Sequence, residues 1–195
     1  MREVLKDATV TLNYIFEVRW ITSERSALRR IIDNFEGLIK VLQKISESEN
    51  FDAPTKYKAG SLANKLQNKN FFMLLNFRAD LAKILTFFSL EFQKRHGILM
   101  DQVKNYQVLK LTLEKAGNVN GDRLRDLLKY SKCGSSTCQT LDEMEYTDDV
   151  TFHGIPLLST RPARKRAKSV VYPKLSEYRF LMTKALVEKV NKPVM

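Results

Sequence analysis

Apolar residues recur at three- and four-residue intervals from Glu24 to Ile45: Leu28, Ile31, Ile32, Phe35, Leu38, Ile39, Leu42 and Ile45. This is the stripe of an amphipathic helix. The Ser23 hydroxyl is placed to accept an orphan backbone N–H at its start, and Glu24 suits the positive end of its dipole. "SESENFDAPTK" interrupts the pattern at Pro54, and a shorter helix is predicted over residues 57–66. Asn70 then stands where it can cap a long helix through Phe71, Leu75, Leu81, Leu85, Phe88 and Phe92. That helix is predicted to end near His96 and Gly97, a glycine suited to the left-handed position past a helix terminus. Further helices are predicted over residues 98–115, 122–130 and 175–190.

After Tyr130 the character changes. "SKCGSSTCQT" reads as a small polar loop, and "VTFHGIPLL" as a short extended apolar piece. Between them "LDEMEYTDD" holds five acids and no base. Farther on, "RPARKRAKS" holds five bases (Arg161, Arg164, Lys165, Arg166, Lys168) and no acid. The predicted architecture is mostly α: a multi-helix bundle over 1–130, an irregular charged linker over 131–171, and a C-terminal helix within 172–195. No internal repeat, sustained heptad or glycine-rich phosphate loop interrupts it.

Composition narrows the function classes. A net charge of +11 and a pI near 9.6 favour a polyanionic partner, nucleic acid foremost, with a protein partner on the helical face as the alternative. The most apolar stretch, "FFMLLNFRADLAKILTFF", carries Arg78, Asp80 and Lys83 in its middle. Each would cost about 2.5–3.5 kcal/mol at a bilayer centre, so it reads as a buried helix and no membrane association is expected. The N-terminus lacks the layout of a secretory signal. With only Cys133 and Cys138 present, the expectation is a reducing compartment and no disulfide framework.

Candidate chemistry is sparse. Cys133, Cys138 and His153 are too few and too loosely spaced for a structural zinc site, so no metal is expected, and no cofactor or small-molecule substrate is indicated. His96, beside Lys94 and Arg95, suits the negative end of a helix dipole. Asp80 is the one acid inside the most apolar helix; it either lies on the exposed edge or pairs with Arg78, Lys83 or another helix. Arg164, Lys165, Arg166 and Lys168 form a short nuclear import signal, a set of phosphate contacts, or a solvated cluster. Ser169, at the end of Arg164-x-Arg166-x-x, has the context of a basophilic kinase site, where phosphate would remove about two units of positive charge. Trp20, the only tryptophan, stands behind Arg19 as either a core anchor or a stacking surface for a base.

Three segments taken together, "VRWITSERSALRRIIDNFEGLIKVL", "FRADLAKILTFFSLEFQ" and "FHGIPL", resemble the C-terminal half of hAT-superfamily (hobo/Activator-type) DNA transposases and the vertebrate proteins domesticated from them. The resemblance runs from about Val18 to the end, and its most specific part is the Arg19–Trp20 pair ahead of a helix. Asp80, Leu85, Ser89 and Gln93 repeat a supporting pattern. It implies an all-helical insertion domain, and it implies that Trp20, with Arg19 beside it, stacks on a flipped nucleotide. Such stacking is worth about 1–3 kcal/mol and tolerates any base. The family's catalytic aspartates precede the Arg-Trp pair and its glutamate follows the insertion, so no triad is expected within these residues. The expectation is a non-enzymatic, transposase-derived nuclear protein with weak, non-specific DNA binding through Arg19, Trp20 and the five bases. A helical interaction module without nucleic-acid binding, or a fragment with no selected role, is the alternative.

Overall fold

The computed structural model describes residues 21–93, 99–159 and 174–191. The first apolar stripe folds as two helices, α1 over residues 21–33 and α2 over Phe35–Glu47. They meet at Asn34, where φ is −110° and ψ 19°. Backbone hydrogen bonds run through the joint, Asn34 N–H to Arg30 O at 3.1 Å and Leu38 N–H to Asn34 O at 2.9 Å. The Asn34 amide also donates to Arg30 O; a side chain competing for a helix carbonyl is a recognised cause of a bend. Ser23 lies inside α1, not ahead of it, which corrects its reading as the cap; an exposed serine is tolerated within a helix whose packing is carried by its other face.

Helix α3 spans Ala53–Gln67 and takes Pro54 into its first turn. A proline there lacks only an N–H that has no intrahelical acceptor, so it starts a helix instead of breaking one. Helix α4, Lys69–Phe92, follows at once and is capped by Asn68, whose Oδ1 accepts the Phe71 N–H at 3.0 Å. Asn70, expected in that role, is helical. Helices α5 (Leu99–Asn118), α6 (Asp122–Tyr130) and α8 (Leu175–Asn191) fall close to their predicted places.

The stretch after Tyr130 differs most from expectation. Strands β1 (Ser131–Cys133), β2 (Ser136–Thr137), β3 (Val150–Phe152) and β4 (Ile155–Leu157) form an antiparallel sheet in the order β2-β1-β3-β4. The acidic run forms a short helix, α7 (Leu141–Tyr146). Strands β1 and β2 are too short to show a period-two pattern, so "SKCGSSTCQT" read as a loop, whereas β3 and β4 fall within the stretch expected to be extended. The β3–β4 turn sets His153 and Gly154 at φ 48° and 78°, the two positive values that a two-residue hairpin turn requires. Cys133 and Cys138 are joined as a disulfide, against the expectation of none; the β1–β2 hairpin brings together two residues that spacing alone did not pair.

Helices and sheet share one core. The rings of Phe35 in α2, Phe72 in α4 and Phe152 in β3 cluster with centroids 4.2, 5.1 and 5.9 Å apart, and each is almost fully buried. The sheet is also tied by its backbone to the junction of α3 and α4, with Lys69 N–H donating to Leu158 O and Leu158 N–H to Gln67 O. The core therefore continues past Tyr130. Among the described residues no helix is long and apolar enough to cross a membrane.

Candidate functional site: buried charges and the α1–α6 cleft

The residues expected to contact DNA, Arg19, Trp20, Arg161, Arg164, Lys165, Arg166 and Lys168, lie outside the described residues, as do His96, Gly97 and Ser169. The charge distribution is nevertheless informative. The described residues hold 22 of the 33 Lys and Arg against 19 of the 22 Asp and Glu. The helical body is thus close to electrical balance, and most of the +11 belongs to the remaining segments, the run from Arg161 to Lys168 above all. On α1, Arg29 and Arg30 are exposed, and Arg29 pairs with Asp33 at 3.2 Å.

Asp80 is buried, which removes the exposed-edge reading. Its carboxylate accepts the backbone N–H groups of Arg123 at 2.9 Å and Leu124 at 3.2 Å. Those are orphan donors in the first turn of α6, a helix whose own N-cap position is Gly121. Asp80 therefore caps α6 from another helix, where its charge also meets the positive dipole end. A side chain at 121 would collide: a Cβ built there falls 2.3–2.7 Å from the Asp80 carboxylate atoms. Burial raises the Asp80 pKa above its ordinary value, opposed by the two N–H groups and by Lys83. The neighbours named as alternative partners are engaged elsewhere. Arg78 holds Glu24 through Nε at 2.7 Å and Nη2 at 3.3 Å, and Lys83 pairs with Asp122.

Two further buried charges, neither singled out from sequence, follow the same logic with opposite sign. Lys69, 2% exposed, donates to Glu145 O at 2.6 Å and Thr147 O at 2.7 Å, at the C-terminal end of α7. Burial lowers its pKa, with Asp148 and Glu145 opposing. Arg179 in α8 donates to Ala116 O at 3.1 Å, in the last turn of α5, and to Asn120 Oδ1 at 2.9 Å. Its guanidinium lies 5.5 Å from the Phe77 ring centroid, and burial lowers its pKa too, with Asp80 opposing. Cations meet helix C-termini and the anion meets an N-terminus, so each buried charge rests against a complementary helix end. The only sequence signal for Lys69 was a lone cation at the head of the most apolar run; Arg179 had none.

A cleft of about 340 Å³ opens where the α1–α2 bend, α4, α6 and the β3–β4 turn converge. Its floor is apolar (Ile32, Phe35, Leu127, Phe152) with the buried amide of Asn76, and its rim carries Asp33, Glu36, Arg123, Asp126, Tyr130 and His153. Asp33 is bridged to Arg123 at 2.7 Å. Burial pushes its pKa up, but Arg123 and Arg29 together outweigh that and hold it below the ordinary value. Glu36 pairs with Lys40 at 2.5 Å, and the His153 ring stacks on Tyr130 with centroids 4.8 Å apart. The rim acids Asp33 and Glu36 are thus in ion pairs, and among the described residues no Ser, Thr, Cys or Lys lines the cleft to act as a nucleophile. Beyond the Asp33–Arg123 bridge lies a smaller polar cleft of about 290 Å³ between Arg25, Arg29, Lys83 and Arg123, with Asp80, Asp122 and Asp126. Its strongest feature, the α6 N-terminus, already has its anion in Asp80. Among the described residues no group of three or more His, Cys, Asp or Glu could hold a metal ion.

No protein-family model, no curated protein and no solved structure matches the chain.

Proposed function

We propose that the protein acts by binding rather than catalysis, as a nuclear, transposase-derived protein that associates weakly and non-specifically with DNA. In this reading the helical body is a scaffold. The run Arg161, Arg164, Lys165, Arg166 and Lys168 holds phosphates, with Arg164 to Lys168 also serving nuclear import, and Arg19 with Trp20 offers a stacking surface for a base. The observation that carries it is the uneven charge: a body near balance and an excess of cations concentrated outside it. The engagement of Asp80 by the α6 backbone supports a structural part for the one acid inside the apolar helix. The hAT resemblance is the reason to name the partner as DNA.

The test is a duplex gel shift across salt concentrations. Micromolar or weaker binding is expected, falling steeply with salt because each neutralised phosphate adds about 0.9 to the log–log slope. Replacing the five bases with glutamine is expected to abolish it. An unchanged, salt-sensitive shift in that variant would sink the reading.

One observation favours the second reading, a protein-interaction module. Helices α5 and α8 border a cleft of about 510 Å³ with Phe180 and Val187 in its wall, and Phe180, Leu181 and Leu111 are each at least 60% exposed. Exposed apolar surface of this kind marks contact sites for other proteins. Recovery of one discrete partner, lost with Phe180→Ser and accompanied by no DNA binding at physiological salt, is its expected signature.

A further inference from the structure

The disulfide sits where it can act on a neighbouring element. Cys133 ends β1 and Cys138 follows β2, with the two-residue turn Gly134–Ser135 between the strands and Gly134 at φ 65°. Strand β2 is the edge of the sheet and is two residues long. Its attachment to β1 consists of the pairs Lys132↔Thr137 and Cys133↔Ser136, a hydrogen bond from Cys138 N–H to Ser131 O at 3.1 Å, and the disulfide.

Two residues beyond Cys138, Thr140 caps α7 by accepting the Glu143 N–H at 3.0 Å, while Glu143 Oε2 accepts the Gln139 N–H at 2.7 Å. The far end of α7 is held by Lys69 of α4. A helix of six residues does not persist in water on its own. Helix α7 is therefore held on the core by Leu141 and Met144 and at its end by Lys69, while its beginning is fixed through the disulfide-closed hairpin. It and the turn that follows present Asp142, Asp148 and Asp149 to solvent.

We propose that Cys133–Cys138 is a reversible thiol–disulfide switch that sets how firmly the acidic helix α7 is held on the domain. The reductant is a thiol of the glutathione class or a protein dithiol. One reductant thiolate attacks a cysteine sulfur, the S–S bond breaks, and the departing cysteine thiolate takes a proton. A second reductant thiolate then resolves the mixed disulfide, releasing the other cysteine as a thiol and the reductant as its own disulfide. Two electrons thus pass to the protein, and oxidation is the reverse.

The surroundings suit both directions. Cys133 is the more accessible of the two residues, while Cys138 is 3% exposed and both pack on the core. With the backbone pairing of the hairpin holding their Cα atoms 5.2 Å apart, the two thiols stay neighbours after reduction. The consequence is local, because the contacts that join α6 to α4 and β3 to the helices, Asp80 to the α6 backbone and the Phe35–Phe72–Phe152 cluster, involve neither sulfur. This inference does not rest on the DNA reading.

The test equilibrates the full chain in glutathione buffers of graded oxidised-to-reduced ratio, counts free thiols by alkylation and mass, and follows backbone hydrogen exchange by segment. The oxidised chain should alkylate at neither cysteine and the reduced chain at both. Exchange over residues 131–147 should then rise about tenfold on reduction with α4 and α6 unchanged, the signature of sub-global opening. Cys133→Ser should reproduce the reduced pattern and ignore the reductant. Two free thiols persisting in the most oxidising buffer, equal exchange over 131–147 in both states, or protection lost across the whole domain on reduction would each overturn the proposal.

Discussion

Lys69 and Asp80 stand on one helix, three turns apart, and treat opposite problems in opposite ways. Lys69 reaches two carbonyls at the end of α7 with a flexible stem. Asp80 has a short side chain, so the partner helix must come to it, and Gly121 is what permits that approach. The difference teaches how α4 organises the molecule. Its N-terminal end fastens the sheet and α7 through an adaptable contact, and its middle fastens α6 through a rigid one. A rigid contact should fail harder when altered.

Gly121→Val should therefore have the largest effect. It drives a branched side chain into the Asp80 carboxylate and separates α4 from α6, with an expected loss of about 3 kcal/mol or more in denaturant unfolding. Asp80→Ala comes next at about 2–3 kcal/mol, since two buried N–H groups lose their acceptor. Lys69→Met keeps the stem and removes the donors. It should cost about 1–2 kcal/mol, with the added hydrogen exchange confined to α7 and the loop after it. An equal, global loss in both Asp80→Ala and Lys69→Met would erase the contrast between the two ends.

Acidity sharpens the comparison further. Burial raises the folded-state pKa of Asp80 above its ordinary 3.8. The folded chain thus holds this proton more tightly than the unfolded one. The stability linked to it is fully present below about pH 3.8 and is lost as pH rises through the folded value. Asp80→Asn mimics the protonated side chain, so the two proteins should be closest in stability near pH 3.5, and the native chain should lose ground to the Asn variant toward pH 7. A penalty that instead grows toward pH 7 would show the carboxylate to be favoured by the α6 N-terminus. The smallest effect belongs to the exposed Lys40–Glu36 pair: Lys40→Ala should leave the denaturation midpoint unchanged, because solvent and salt screen such a pair.

The helical half was legible because three-to-four-residue periodicity survives over many residues, as in Leu28 to Ile45. What blurred was the punctuation. Pro54 and Ser23 carry turn-like chemistry but sit within helices, Pro54 in a first turn, and Asn68, not Asn70, caps α4. The sheet was legible only in part: "VTFHGIPLL" read as extended and supplies β3 and β4, whereas a two-residue strand such as β2 has no period to read. Of the buried site, Asp80 attracted notice as an acid among apolar residues, yet its partners are backbone N–H groups 43 and 44 positions away, which no side-chain pattern announces.

By itself the sequence determined that the chain is mostly helical, that its long apolar run is not a membrane span, and that its positive charge gathers in one short run. These follow from local periodicity and composition, which act over a few neighbours. Only the tertiary structure decided that Cys133 meets Cys138, that the acidic run is a helix packed on the core, and that the buried charges close helix ends. Each of those depends on which elements come to lie side by side, and burial then makes a complementary partner obligatory for every charge it encloses.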